Sequence, residues 1–108
     1  MKYMKYGDYL GSIEYSEEDE CLYGKIIGIT DAVMYEADSV SELRKLFEES
    51  VDDYLAFCKE KGVTPEKSCK GSFNVRISPE LHMRTVIFAR NHDMTLNNVV
   101  AEAIRAYV

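Results

Sequence analysis

The 108-residue sequence contains no tryptophan, only two prolines, and no hydrophobic run near the roughly 20 residues that cross a bilayer. We therefore predict no membrane span. The lysine-bearing start, Met1 to Lys5, is not followed by the apolar stretch of a secretory signal. The expected location is the cytoplasm.

Cysteine is scarce as well, and its spacing excludes two kinds of small domain. Cys21, Cys58 and Cys69 are an odd number and form no Cys-x-x-Cys pair, so neither a disulfide framework nor a zinc knuckle is indicated. His82 and His92 have no histidine at i, i+4 and no nearby cysteine, which argues against a zinc site. We expect reduced thiols, no bound metal and no cofactor.

The sequence does contain enough apolar residues for a small globular protein, with 46% hydrophobic and 30% charged residues. A chain of this length buries only about 65% of its extended surface on folding, so its stability is marginal. Association with further copies of the chain would stabilise it by burying additional apolar surface. Self-association is therefore part of the expected behaviour.

The charge is unevenly distributed and suggests two modules. Residues 1–70 contain 9 basic and 16 acidic residues, whereas residues 71–108 contain 4 basic and 3 acidic ones. The acidic N-terminal part is suited to binding a basic protein. The nearly neutral C-terminal part would not be strongly repelled by the phosphate backbone of a nucleic acid. The polar stretch from Gly62 to Gly71 contains Pro65 and resembles a linker. We predict a domain at 1–62, called the front module, and a domain at 72–108, called the back module. A linker at 63–71 joins them.

The front module is predicted to be an antiparallel meander followed by one long helix. Alternation and turn signals give three strands, at Tyr9–Ser16, Leu22–Ile27 and Val33–Ala37. A capping box from Ser39 to Glu42 starts the helix, and Gly62 ends it. The outer side of this helix bears the acidic residues Glu48, Glu49, Asp52 and Asp53. They form either a solvated face or a docking surface for a basic partner.

The back module is predicted to be one strand followed by two helices. Phe73, Val75 and Ile77 alternate with Ser72, Asn74 and Arg76. Ser78 and Pro79 then start a helix, and Thr95 caps a second one. The predicted inner face of the first helix consists of Leu81, Thr85, Phe88, Ala89 and His92, and the apolar stripe of the second consists of Leu96, Val99, Val100, Ala103, Ile104 and Tyr107.

A lone strand needs a partner, because its backbone groups are too costly to bury unpaired. It can join the front sheet or pair with its copy in a second chain, and the linker glycines favour the second chain. In such a ribbon Phe73, Val75 and Ile77 close onto the helices while Asn74 and Arg76 point outward.

An outward-facing ribbon of this kind fits the major groove, where arginine pairs with guanine and asparagine with adenine. The helix start at Thr95 to Asn97 can hold flanking phosphates. The alternative is that Asn74 and Arg76 are only the solvated side of a strand, since alternation alone says little about function.

Two family resemblances carry this interpretation further. The strand, the helix start at Ser78 to Leu81 and the helix opening at Thr95 to Asn98 resemble the ribbon-helix-helix DNA-binding proteins. The strings Tyr9 to Asp19, Tyr23 to Ile29 and Tyr35 to Ser39, in this order, resemble the HicB antitoxin family.

The resemblance implies a fold and a function for each module. It implies that the front module is a truncated ribonuclease H-like fold that binds and blocks a HicA-like, mRNA-cleaving toxin. It implies that the back module forms a homodimer, or a higher even-numbered oligomer, which binds operator DNA and represses its own operon. DNA contacts fall, by this resemblance, on Ser72, Asn74, Arg76, Thr95 and Asn97, with dimerisation through Phe73, Val75 and Ile77.

Catalysis and RNA binding are the alternatives to an antitoxin. Ribonuclease H chemistry uses clustered carboxylates to hold two metal ions, and the candidates here are Asp8, Glu14, Asp31 and Glu36. Two of the four are expected at turns, so no catalytic residue is predicted. Eight tyrosines suit a base-stacking RNA surface, yet periodicity assigns Tyr9, Tyr15 and Tyr54 to the core or an interface. The overall expectation is an α+β protein that is not an enzyme.

Overall fold

The computed structural model describes residues 3–108, so Met1 and Lys2 of the stretch considered above as a leader lie outside it. The protein is α+β, with two small antiparallel sheets and three helices in the described residues. The elements are β1 (Tyr3–Tyr6), β2 (Tyr9–Ser12), β3 (Glu14–Ser16), β4 (Cys21–Lys25), β5 (Met34–Ala37), α1 (Val40–Lys61), α2 (Pro79–Asn91) and α3 (Leu96–Tyr107). The chain divides into two compact units between Ser72 and Phe73.

A hairpin of β1 and β2 begins the first unit, and the sequence analysis missed its first strand. Tyr6 pairs with Tyr9, so Gly7 and Asp8 form a two-residue loop, with Gly7 at a φ of +60°. A glycine at the first position of such a loop matches the twist of the two strands. The Gly7-Asp8 pair was therefore the signal that predicts β1.

The second sheet has the order β3-β4-β5, as a meander requires. The strand predicted at 9–16 is instead two strands, because the chain leaves the hairpin at Ser12 and enters this sheet at Glu14. The prediction that Tyr15 shares a buried face with Tyr9 is wrong: Tyr9 is buried, but Tyr15 is 64% exposed. The acidic turn at 17–20 is present, with Glu20 at a φ of 51°.

Helix α1 covers one face of the first unit and supplies half of the buried residues of its core. The Ser39 hydroxyl accepts a hydrogen bond from the Glu42 N–H, and Gly62 ends the helix at a left-handed φ of 68°, as the sequence predicts. The side chains of Leu43, Phe47 and Val51 are almost fully buried. None of the helices in residues 3–108 is both long and apolar enough to cross a membrane.

The two sheets are joined through a close approach of β2 and β4. Gly11 forms a bridge with Ile26, and the Ile27 N–H donates to the Leu10 carbonyl oxygen at 2.8 Å. A Cβ at Gly24 would collide with the backbone carbonyl of Ser12. This contact explains why glycine occupies the middle of a strand.

The predicted linker at 63–71 is partly bound to the first unit. The Ser68 hydroxyl accepts from the Leu10 N–H at 2.9 Å. The Glu66 carboxylate accepts from the N–H and the hydroxyl of Thr30, at 2.8 and 2.9 Å. These hydrogen bonds lower the Glu66 pKa. Glu66 and Ser68 are therefore hydrogen-bonded to the rest of the first unit, and we call residues 63–71 the strap.

The second unit contains the two predicted helices but not the predicted strand. The hydroxyls of Ser78 and Thr95 cap α2 and α3 by accepting from Leu81 N–H and Asn98 N–H, both at 3.1 Å. Asp93, between the helices, has a φ of 52°, as expected for a residue that tolerates left-handed backbone. Residues 72–77 form no strand in the single chain, because a strand requires a hydrogen-bonded neighbour and the described chain offers none there.

Candidate nucleic-acid and partner interfaces

Residues 72–77 are exposed on both sides of the chain. Phe73, Val75 and Ile77 are 74%, 62% and 43% exposed, although their alternation is typical of a half-buried strand. Asn74 and Arg76 are exposed as well. Three large apolar side chains at every second position, all in contact with water, are typical of a surface that is covered in an assembly.

The rest of the second unit is also poorly buried. Within residues 73–108, all of which the structure describes, Ala89 alone is buried. The predicted inner faces of α2 and α3 therefore remain largely open. Between the helices lies a groove of about 1000 Å³, lined by Leu81, Arg84, Thr85, Ile87, Phe88, Asn91, His92, Met94, Val99, Glu102, Ala103 and Ala106.

The start of α3 carries the two predicted phosphate contacts, Thr95 and Asn97, and both are exposed. The Thr95 oxygen is engaged as the helix cap, and the first intrahelical bond runs from the Val99 N–H to the Thr95 carbonyl oxygen at 3.1 Å. The N–H groups of Leu96 and Asn97 precede that bond, where helix amides point outward. Free amides at a helix start can hold an anion, and phosphate contact at Thr95 and Asn97 stays a prediction.

The second unit has a small excess of positive charge. Its four arginines exceed its three acidic residues by one. Arg105 is paired with Glu102 at 2.6 Å. Arg76 lies in the extended segment, and Arg84 and Arg90 lie on α2. The arginine at position 76 is thus the one that stands beside the predicted base-reading residue Asn74.

The first unit presents a second surface, the face of the three-stranded sheet that α1 does not cover. Tyr23 lies at its centre, directly between Glu14 and Glu36 on the neighbouring strands. Lys25 and Met34 are the next pair along the strands, and Met34 is 66% exposed. We call these residues, together with Ser16 and Cys21, the open sheet face.

A shallow cavity of about 520 Å³ lies beside the open sheet face, lined by Ser16, Asp19, Cys21, Tyr23, Met34, Tyr35 and Glu36. The Cys21 thiol donates to a Glu36 carboxylate oxygen at 3.8 Å. Burial and the nearby Glu36 carboxylate raise the Cys21 pKa, which keeps the thiol protonated at neutral pH. Sequence alternation in Leu22–Lys25 and Met34–Ala37 could have placed these side chains on one face of the sheet, but it does not indicate that this face is the uncovered one.

The carboxylates considered for nuclease chemistry do not form a metal site in the described part of the chain. Among residues 3–108, no group of three His, Cys, Asp or Glu side chains is close enough to hold a metal ion. Asp8 is paired with Lys67 at 3.7 Å, and Glu14 and Glu36 lie on opposite sides of Tyr23. His92, which the sequence analysis considered as a zinc ligand, stacks on the Phe88 ring, with ring centroids 3.9 Å apart.

Comparison with known proteins gave one match, on the C-terminal half. The model of the HicB family matches residues 54–104, just under half of the chain. The matched part comprises the end of α1, the strap, α2 and most of α3. No curated protein and no solved structure gave a significant match. The family match supports the resemblance to HicB proteins, and it does so on residues other than the front-module strings that suggested it.

Proposed function

We propose that the chain is the antitoxin of a toxin–antitoxin pair. In this proposal the first unit binds and blocks a HicA-like ribonuclease, and the second unit dimerises and binds the operator of its own operon. The HicB family match at residues 54–104 supports the general role. The same proposal includes three further points. The first unit is partly ribonuclease H-like, the second unit is a ribbon-helix-helix domain, and the protein is cytoplasmic.

The observation that carries the dimer is the burial in residues 73–108. A unit of this size with Ala89 as its one buried residue has too little core to be stable alone. Pairing Phe73, Val75 and Ile77 with the same residues of a second copy would supply the missing ladder and cover the apolar groove.

The same pairing supports a DNA-binding role. A two-stranded ribbon with Asn74 and Arg76 on its outer face has the width and the side chains to contact base edges in the major groove. Ser72 would extend this row, and the α3 terminus with Thr95 and Asn97 would contact the flanking phosphates. The acidic first unit would keep the remainder of the protein away from the DNA backbone.

The first experiment tests the antitoxin role directly. The product of the adjacent reading frame is expressed alone and together with the tagged full chain. We expect growth arrest when it is expressed alone, and rescue with co-purification when the two are expressed together. A neighbour that is harmless alone and does not co-purify would refute the proposed function.

The second experiment tests DNA binding through Arg76. Arg76→Ala should weaken binding to the DNA upstream of the gene by about 1 to 3 kcal/mol and reduce discrimination against a scrambled duplex. Arg90→Ala on α2 is the matched control, because any phosphate contact there would weaken binding to both duplexes equally. Gel shifts at fixed salt measure both variants, and an unchanged midpoint for Arg76→Ala would reject base reading by this residue.

A further inference from the structure

The strap, residues 63–71, completes the hydrogen bonding of backbone groups near the start of β2. The Ser68 N–H donates to the Asp8 carbonyl oxygen at 3.3 Å, and the Ser68 hydroxyl accepts from the Leu10 N–H at 2.9 Å. Gly28 lies so close to this contact that a Cβ there would collide with the Ser68 carbonyl oxygen. The strap is therefore fitted to the first unit at Ser68.

The strap nevertheless adds no buried residue to the core. All of its residues lie in the described part of the chain, and each is exposed or half-buried. The Glu66 carboxylate accepts from Thr30, and the Glu66 N–H donates to the Tyr54 hydroxyl at 3.1 Å. An ion pair at 3.7 Å joins the exposed side chains of Lys67 and Asp8. Water competes for most of these groups, so we expect the strap to open locally while the core stays folded.

Docking of the strap shortens the free tether that leads to the second unit. Ser68 is the last of the anchors above, so four residues, 69–72, lie between it and Phe73. Fully extended, this piece of chain spans at most about 17 Å. With the strap released, the ten residues 63–72 are free, and they span at most about 37 Å from the end of α1. The state of the strap therefore sets the length of the tether.

The charge of the first unit makes the tether length relevant to DNA binding. Residues 1–70 contain 16 acidic and 9 basic residues, a net charge of −7. The residues that the proposed function assigns to base reading, Asn74 and Arg76, follow directly after the tether. Repulsion between exposed charges and phosphates acts mainly within the Debye length, about 10 Å at 0.1 M salt. The short tether is of this order, and the long tether reaches well beyond it.

We propose that the strap is a latch that lowers the affinity of the protein for DNA while it is docked. The docked strap confines the acidic first unit to a short tether beside the residues that contact DNA. Release of the strap lets the acidic unit move away from the phosphates, so whatever frees the strap tightens DNA binding. This proposal rests on the DNA-binding part of the proposed function and adds its regulation.

The test compares two double substitutions that change the net charge equally. Glu66→Ala/Ser68→Ala removes anchors of the strap, whereas Glu60→Ala/Ser41→Ala makes the same chemical changes at exposed positions of α1. Hydrogen exchange of the Leu10 N–H in the full chain, followed by NMR, reports whether the strap is open. Gel shifts with the DNA upstream of the gene and with a scrambled duplex measure affinity, at about 50 mM and about 300 mM salt.

We expect Glu66→Ala/Ser68→Ala to bind both duplexes about three- to tenfold more tightly than the α1 control at the lower salt concentration. Both duplexes should respond alike, because the relieved repulsion does not depend on base sequence. At the higher salt concentration the ratio should fall below about twofold. An open strap with unchanged affinity would overturn the latch. So would a change confined to one duplex, or one that persists undiminished at high salt.

A second variant changes the tether length without touching the anchors. Six glycine and serine residues inserted between Lys70 and Gly71 give the docked strap a ten-residue tether, the length that release provides. This insertion should tighten binding by about the same factor and with the same salt dependence. It decides the question if the first variant fails to fold or keeps its strap closed, and unchanged binding by the insertion variant would overturn the latch.

These outcomes differ from a failure of the proposed function. If the wild-type chain does not prefer the upstream DNA to the scrambled duplex, the DNA-binding part of the proposed function fails, and the latch fails with it. If the wild-type chain shows this preference and neither the open-strap variant nor the insertion variant binds more tightly, the proposed function stands and the latch is wrong.

Discussion

Single residues in the first unit join elements that are distant in sequence, and Tyr35 is the clearest case. It is buried in the core, packs against Phe47 with ring centroids 5.7 Å apart, and donates its hydroxyl proton to the Ser12 carbonyl oxygen at 2.9 Å. The phenol thus links β5 to the end of β2. Burial raises the pKa of Tyr35 from 10.0 to about 12.

This pKa predicts a loss of stability in alkali. Between pH 10 and about 12 the unfolded chain releases the Tyr35 proton while the folded chain retains it, so the free energy of unfolding falls as pH rises. Tyr35→Phe removes this dependence and costs about 1 kcal/mol at pH 8 through the lost hydrogen bond. Urea unfolding at pH 8 and pH 11 should show the difference between the two proteins shrinking. A constant difference would contradict the assignment.

Glu66 fastens the strap to the first unit, since both of its carboxylate oxygens accept from Thr30. Glu66→Ala should leave the Thr30 N–H without its acceptor and accelerate its hydrogen exchange, with little effect on amides of the β4–β5 ladder such as Tyr35. Exchange followed by NMR at neutral pH measures this effect. Glu60→Ala, an exposed acidic residue on α1, should leave the Thr30 rate unchanged; equal rates in both variants would refute the strap.

At the scale of elements, hydroxyl caps determine where all three helices begin. The side chains of Ser39, Ser78 and Thr95 each accept from the N–H three residues later. Each cap supplies an acceptor to an amide that has no intrahelical partner. The apolar stripe of α1 then packs on the sheets, whereas the stripes of α2 and α3 stay open.

The cap of α1 can be tested with two neighbouring serines. Ser39→Ala should lower the free energy of unfolding by about 1 kcal/mol, because the Glu42 N–H loses its acceptor at 3.2 Å. Ser41→Ala removes a hydroxyl from the first turn without removing the cap, and should cost less than about 0.5 kcal/mol. Urea midpoints measure both, and equal losses would show that the cap does not stabilise the helix.

For the whole molecule, the contrast between the two units is the main finding. The first unit has a contiguous core in which Leu43, Phe47 and Val51 are almost fully buried, while the second buries Ala89 alone among residues 73–108. Low burial in the second unit predicts that its stability depends on protein concentration. The first unit should show no such dependence.

Substitution within 72–77 tests this expectation. Under the proposed function, Phe73→Ser/Val75→Ser should convert the proposed dimer into monomers at micromolar concentration and abolish binding to the upstream DNA, because the apolar side of the ribbon would be lost. Sedimentation velocity measures the mass. Tyr107→Ser is the control, because Tyr107 near the C-terminus is also a large exposed side chain, at 92% against 74% for Phe73. A wild-type chain that sediments as a monomer would remove the ribbon hypothesis.

Local signals in the sequence determined the helices and most of the first unit. The caps at Ser39, Ser78 and Thr95, the stop at Gly62 and the acidic turn at 17–20 act between neighbouring residues, so each could be identified without the fold. The Gly7-Asp8 loop was an available signal of the same kind. Alternation also predicts that Asn74 and Arg76 would lie opposite Phe73, Val75 and Ile77 in an extended strand.

Tertiary structure decided what depends on contacts between distant residues. The division of 9–16 into two strands follows from the meeting of Ser12 with Gly24 and Tyr35, and the strap depends on Thr30 and Leu10 meeting residues more than 30 positions away. The open sheet face likewise exists because α1 packs on only one side of β3, β4 and β5. Alternation specifies two faces of a strand, but only packing determines which face is covered.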